Sequence, residues 1–363
     1  MVWYWLIFII VLFFCIIDVF RLSIRTIYKK WILTGLFILL VLFAGLRFEC
    51  DNDYLEYVRI YNNAPTLLEF VIGGYNLSEV YGEPLFVFSN IVFKSLGATD
   101  YIFLTFISFL NLFFLYKVIV GFSKYWFLSL FLYVALMYLG GGFTQIRFGV
   151  ATTLAWYGLL QYFNRNIKLS VFLLICAIMF HISAISAAIV YLANRFLNLN
   201  IKVIFTIISV SILITFFSFS DLFAHFLGAF FGDSRYENYF LLEGYTEKAS
   251  SFSTYFYSAN ILLYWYFRDQ MIKNLGEERF VFFVKIGLMA ILFGAIFNQM
   301  AILARFGLIL QFVFIFILPY TFGIKPLRTI MLILLMFYGV FRFQQYLSKE
   351  SFIQEYQNVI FSK

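Results

Sequence analysis

The stretch WILTGLFILLVLFAGL (Trp31–Leu46) runs straight into RFECDNDY (Arg47–Tyr54). The first part carries no charge and approaches the roughly 20 apolar residues that a helix needs to cross a hydrocarbon core. The second part sets an arginine at the mouth of that helix and places Glu49, Asp51 and Asp53 just behind it. Ionisable groups are costly in lipid and tend to be kept where they work. The junction therefore announces both a membrane protein and the end of it where chemistry is expected.

Working outward, the same contrast repeats along the chain. The sequence is 63% hydrophobic and only 12% charged, with a mean hydropathy of +0.91. A soluble globular domain would carry about 25% charged residues, so that class is excluded. Of the 19 acids, 12 fall in two polar stretches, 47–83 and 221–254. Apolar segments are Val2–Ile17, Trp31–Leu46, Pro84–Leu96, Tyr101–Val120, Trp126–Leu139, Thr144–Phe163, Leu169–Ala193 and Val203–Phe219, followed by Tyr255–Phe267, Phe280–Phe297, Ala301–Leu318 and Thr329–Phe341. They predict an all-α, polytopic integral membrane protein with about 10–12 transmembrane helices. No room is left for an independent soluble domain, so residues 1–363 are expected to form a single membrane domain with extracytoplasmic loops 47–83 and 221–254.

Charge sets the orientation. Val2–Ile17 lacks a basic leading region and a small-residue cleavage site, so it is expected to be retained as a first helix. Arg21, Arg25, Lys29 and Lys30 then mark the cytoplasmic end, and Trp31–Leu46 returns outward. Pro84–Leu96 is too short to span at about 1.5 Å per residue. If it only dips in from outside, Arg147 falls outside and basic Asn164–Lys168 falls in the cytoplasm, as the positive-inside rule prefers. The net charge of +7 comes from basic residues in short loops, where orientation accounts for them, and no nucleic-acid partner is expected. Cys15 and Cys176 lie in apolar runs, while Cys50 is the single loop thiol and is expected to be reachable from outside. Two histidines without CxxC or HExxH spacing predict no metal site, and no cofactor is expected.

Several constellations can carry chemistry. Asp51 and Asp53 can bind a cation, or one can accept a proton from a sugar hydroxyl while the other orients it. Arg47, Tyr54, Tyr57 and Glu83 surround them in sequence; a solvated loop with interfacial tyrosines is the plainer alternative. Gly140-Gly141-Gly142 precedes Gln145 and Arg147, where backbone amides at a helix start and a guanidinium can hold a phosphate. His181 interrupts an apolar run as a proton shuttle or a hydrogen-bonded core residue. Ser183 with Ala187 and Ala184 with Ala188 have the spacing of close helix packing. In the second loop Arg235, Tyr236 and Tyr239 suit a sugar, with rings for its apolar face. Gln299, Arg305 and Gln311 punctuate a late apolar helix, and Arg305 needs an anion or a polar cavity there.

These residues resemble the EpsG/Wzy-type bacterial polysaccharide polymerases over most of the chain. Gly45-Leu46-Arg47 with Asp53-Tyr54 and Tyr57 is similar to the family's first outer motif. Glu83-Pro84-Leu85-Phe86, Ile146-Arg147-Phe148-Gly149-Val150-Ala151 and Phe180-His181-Ile182-Ser183-Ala184 resemble three more, and Arg305 with Pro319 a fifth. Asn52 stands where the family often has glycine. The resemblance implies a glycosyltransferase C-like membrane fold in the bacterial cytoplasmic membrane. It also implies glycosyl transfer between undecaprenyl-diphosphate-linked oligosaccharide repeat units at the outer face, with flippase and chain-length regulator proteins as partners. In that chemistry Arg147 and Arg305, with Arg47 or Arg235, would neutralise the diphosphate, and Asp51, Asp53 or His181 would take the acceptor proton. A glycosyltransferase using a lipid-monophosphate sugar, a membrane acyltransferase of envelope glycans and a transporter are the competing classes. A transporter is disfavoured because its site is expected at the bilayer midplane.

Overall fold

The computed structural model describes residues 1–20, 22–73, 82–217, 251–298, 303–348 and 352–361, with backbone only at 325. The helices gather into two compact units, Met1–Ile182 with Thr329–Lys363, and Ser183–Arg328. In the first unit they are α1 (Val2–Val19), α2 (Thr26–Gly45), α3 (Tyr54–Asn63), α4 (Leu67–Ile72), α5 (Pro84–Ser95), α6 (Asp100–Phe122), α7 (Trp126–Thr144), α8 (Ile146–Phe163) and α9 (Ile167–Phe180). The second unit holds α10 (Ile182–Phe196), α11 (Ile201–Phe216), α12 (Phe252–Tyr266), α13 (Arg268–Leu275), α14 (Glu277–Phe297) and α15 (Ala304–Gly323). α16 (Arg328–Leu347) then returns the chain to the first. Among the described residues seven helices are long and apolar enough to cross a membrane: α1, α2, α6, α7, α14, α15 and α16. Four more, α5, α9, α10 and α11, are apolar but shorter. The protein is an all-α, multi-pass membrane protein.

The centre of the first unit is α8, which packs against α6, α7 and α9. Its small residues let neighbours approach closely, as helices in lipid require when no hydrophobic force draws them together. A Cβ on Gly149 would collide with the carbonyl oxygen of Gly141, and Ser170 Oγ donates to the Gly158 carbonyl at 2.6 Å. Thr153 Oγ1 donates to Asn111 Oδ1 at 3.1 Å, and Asn111 Nδ2 donates to the Tyr133 hydroxyl at 3.1 Å. These buried polar groups are satisfied by one another and tie three helices together.

Specific contacts define two ends of this unit. At one, Tyr4 of α1 packs edge-on against Phe43 of α2 at 5.5 Å, and the Arg47 guanidinium lies 5.1 Å from the Phe143 ring at the end of α7. At the other, the buried Asp18 carboxylate accepts from the backbone N–H groups of Phe127 (2.8 Å) and Leu128 (3.1 Å). Those are otherwise unpaired donors in the first turn of α7, so Asp18 caps that helix. The ends of α6 and α8 also meet there, with Phe122 and Phe163 rings 5.8 Å apart.

Both ends of α5 lie at the first of these two ends. Glu83 before it pairs with Arg147, while Lys94 near its close donates to the Asn62 carbonyl of α3, and Leu67 N–H donates to Ser95 Oγ at 2.6 Å. The helix turns back rather than crossing, as its length predicts. In consequence Arg147 sits at the end that holds Arg47, and the Asn164–Lys168 turn sits at the other.

Two sequence expectations change. The glycines 140–142 do not end α7, which continues through them in wider turns to Thr144. Protein side chains pack close to them, with Gly140 against Tyr346 and Gly142 buried beneath Tyr133, Tyr138 and Asn111, while Gly140 and Gly141 keep partial exposure. In α10, Ile182–Ala188 is a tight three-residue-per-turn helix. Ser183, Ala184, Ser186 and Ala187 are buried in it, so the packing face repeats every three residues instead of four. Within the second unit, Tyr257 and Phe314 stack with centroids 3.7 Å apart, and the Lys285 ammonium donates to the Asn194 carbonyl at 2.8 Å.

Candidate active site

The first polar loop is structured. After α2 the chain forms isolated bridges at Arg47 and Asp51, turns at Glu49 (φ 48°) and leads into α3. α3 buries Tyr54, Tyr57, Ile60 and Tyr61 along one face, the spacing of an amphipathic helix lying on a bundle. Tyr61 donates its hydroxyl to the Ala98 carbonyl at 2.5 Å and stacks on Phe103 at 5.2 Å. These contacts fix the outward end of α3 beside α6.

Arg147 is the focus of the site. Its position in the first turn of α8 carries it toward Glu83, and Nη1 lies 2.8 Å from Glu83 Oε2. The two side chains keep 17% and 19% exposure, respectively, so the pair is half-sheltered yet open to an incoming group. Aromatic rings line the guanidinium, Phe86 at 5.5 Å and Tyr57 at 5.9 Å. Pro84 at the first helical position of α5 fixes the backbone behind Glu83. Gly82 (φ 135°) supplies the turn before it, in a conformation that a side chain would strain. A guanidinium that is charged, oriented and partly dehydrated is suited to a phosphate oxygen.

Arg47 and Asp51 form a second, different pair. Nε lies 2.6 Å from Asp51 Oδ2, both side chains are fully buried, and Nη1 donates to the Ala44 carbonyl at 2.7 Å. Rings of Phe143 and Tyr54 close over the guanidinium. The other Asp51 oxygen accepts from the Asp53 N–H at 3.1 Å. The Asp51 carboxylate is enclosed, with one oxygen on a buried arginine, the other on backbone and no exposed side-chain surface. In this arrangement neither Asp51 nor Arg47 presents its side chain to an incoming group. Both brace the loop. Asp53, at the start of α3, retains partial exposure.

The remaining candidates are dispersed. Gln145 occupies the N-cap position of α8 with partial exposure. His181 adopts extended backbone and ends α9, as its place in the apolar run predicts; it is 8% exposed and meets Phe148 edge-on at 5.7 Å. Arg305 stands in the first turn of α15, in the second unit. Arg235, Tyr236, Tyr239 and Gln299 lie outside the described residues. Among those described, no group of three or more His, Cys, Asp or Glu is placed to share a metal ion.

Cys50 corrects a sequence expectation. It is 0% exposed, and its Sγ sits 3.0 Å from the Phe48 carbonyl and 3.1 Å from the Gln357 carbonyl. Burial pushes the thiol above its ordinary range, outweighing the neighbouring Arg47. The thiolate is the reactive form, so an impermeant maleimide on intact cells is expected to leave Cys50 unmodified and to label it after denaturation. Rapid labelling of the native protein would contradict this packing.

The covering segment is the chain's own C-terminal tail, which sequence reasoning missed. Phe352–Val359 lies antiparallel to 46–52, bridging Arg47 with Asn358 and Asp51 with Ile353. Tyr356 stacks on Phe43 with centroids 4.2 Å apart and planes 6° apart. A lone tyrosine within the polar run Gln354–Asn358 was the available signal.

A model described as the EpsG family matches residues 30–358. No curated protein and no solved structure matches the chain.

Proposed function

The chain belongs to the EpsG family, and from that premise we propose that this polysaccharide polymerase joins undecaprenyl-diphosphate-linked oligosaccharide repeat units at the outer face of the cytoplasmic membrane. The observation that carries the proposal is the half-sheltered Arg147–Glu83 pair, ringed by Tyr57 and Phe86, at the end of the bundle that also holds the Arg47–Asp51 loop. Basic residues supply the orientation: Arg25, Lys29, Lys30, Arg165 and Lys168 belong to the opposite end, which the positive-inside rule assigns to the cytoplasm.

In this mechanism Arg147 binds the diphosphate of the donor and stabilises the negative charge that grows on it as the glycosyl bond breaks. Oriented donors of that kind act electrostatically and need no reorganisation during the reaction. Glu83 holds the guanidinium in place. Asp53 is the acid of the DND motif that can accept the acceptor hydroxyl's proton, with His181 as the second candidate. Tyr57 and Phe86 offer ring faces to sugar or prenyl chain. Arginine meets the diphosphate charge, and no metal is required. Arg305, Arg235, Tyr236 and Tyr239 are separate candidates for anion and sugar binding.

Deletion of the chain followed by sizing of the surface glycan tests this reading. The expected result is single repeat units on lipid and on the surface, with polymer restored by the wild-type chain. Full-length glycan lacking acyl groups would support an acyltransferase instead.

A further inference from the structure

Resting on the polymerase reading, we propose that the C-terminal tail is a positioning element of the site, with Tyr356 as its anchor: by clamping residues 46–52 it sets the face of α3 that Arg147 meets. Four backbone hydrogen bonds join the two segments: Phe48 N–H to Gln357 O (3.0 Å), Gln354 N–H to Cys50 O (2.8 Å), Val359 N–H to Leu46 O (3.0 Å) and Asn52 N–H to Phe352 O (3.4 Å). The Gln357 N–H also donates to Cys50 Sγ at 3.0 Å. Backbone donors and acceptors buried near an apolar phase must be paired, and here each segment supplies what the other lacks.

Tyr356 secures the clamp from beneath. Besides stacking on Phe43, its ring meets Tyr4 at 5.8 Å, and its hydroxyl donates to the Phe43 carbonyl at 3.1 Å. The Tyr4 hydroxyl in turn donates to the Gln354 carbonyl at 3.1 Å. The tail thus joins the first helix, the close of α2 and the DND loop. From that loop the path to the site is short. Asp51 orients the first N–H of the turn into α3, and Tyr57, one turn into α3, lies under the Arg147 guanidinium. A tail that lets go releases the loop, and with it the wall of the site, while leaving Arg147 and Glu83 covalently untouched. Tyr356 touches none of the proposed reacting groups and acts through the loop.

Cys50 supplies a reporter that does not depend on activity. In a background with Cys15 and Cys176 replaced by alanine, Tyr356→Ala, Tyr356→Phe and a truncation after Leu347 are compared for membrane abundance, maleimide labelling of Cys50 and glycan chain length. Tyr356→Ala and the truncation are expected to remain in the membrane, to raise the Cys50 labelling rate at least tenfold and to shorten the glycan. With donor titrated in membranes, the loss is expected mainly in kcat, since the phosphate-binding arginine stays. Tyr356→Phe, which keeps the stack, is expected to restore both labelling protection and chain length. Cys50 staying protected in Tyr356→Ala, or becoming exposed with wild-type chain length and kcat, would overturn the proposal. If Tyr356→Ala does not accumulate, Tyr356→Phe combined with Tyr4→Phe decides in the same way, because it weakens the clamp without removing a ring. Normal polymer in an Arg147→Ala control would fail the polymerase mechanism itself, independently of what Cys50 reports.

Discussion

Replacing Arg147 with alanine is expected to abolish chain growth and leave single repeat units accumulating on the lipid carrier. The size of the effect follows from what the side chain does. Loss of one oriented donor to a developing negative charge costs about 3–4 kcal/mol of barrier, or roughly 10²–10³-fold in rate. Arg147 is held at 2.8 Å by Glu83 and flanked by two rings, a geometry that alanine does not reproduce. Arg147→Lys keeps the charge but loses the planar fork, and should recover only part of the activity. Glu83→Gln keeps the shape and weakens the hold, and should fall between lysine and alanine. Glycan sizing together with membrane abundance measures all three. Normal polymer length in Arg147→Ala would remove this residue from the mechanism.

The second large effect concerns stability. Asp51→Ala leaves the Arg47 guanidinium fully buried without its counter-ion, and removing one partner of a buried pair costs about 3–5 kcal/mol. That is a large share of a typical folding free energy, so the variant should melt early in detergent and be scarce in the membrane. Replacing both partners by apolar residues of similar volume, Arg47→Met with Asp51→Leu, is expected to restore much of the melting temperature. The pair of experiments also separates bracing from proton transfer. If Asp51 only braces, the stable double variant still lengthens glycan. If Asp51 is the base, the double variant folds and makes none.

How far the sequence was legible depends on what each residue's surroundings are made of. Spans such as Trp31–Leu46 were plain because membrane thickness dictates their length. The return of α5 was visible because Pro84–Leu96 is too short to cross, and the break at His181 because a polar ring interrupts an apolar run. Arg147 and Glu83 stood out individually; their pairing across 64 positions did not, since no local pattern encodes it. Cys50 was misplaced, and the burial of Asp51 missed, for the same reason. Acids and a thiol in a polar loop look solvated until a tail more than 300 residues away covers them. The Gly140–Gly142 run invited a ligand-cradle reading because glycine serves close approach of any backbone, and here the neighbour is Gly149.

The return of α5 also fixes the parity of the chain. A helix that comes back to the end it left adds no traverse between Arg47 and Arg147, so both arginines lie at the same end of the bundle. A single extra traverse at that point would leave every later contact within α6–α9 intact and yet separate the two arginines by the full thickness of the bilayer. The shortness of twelve residues, Pro84–Ser95, is what keeps residues from distant stretches of the chain at one end of the bundle.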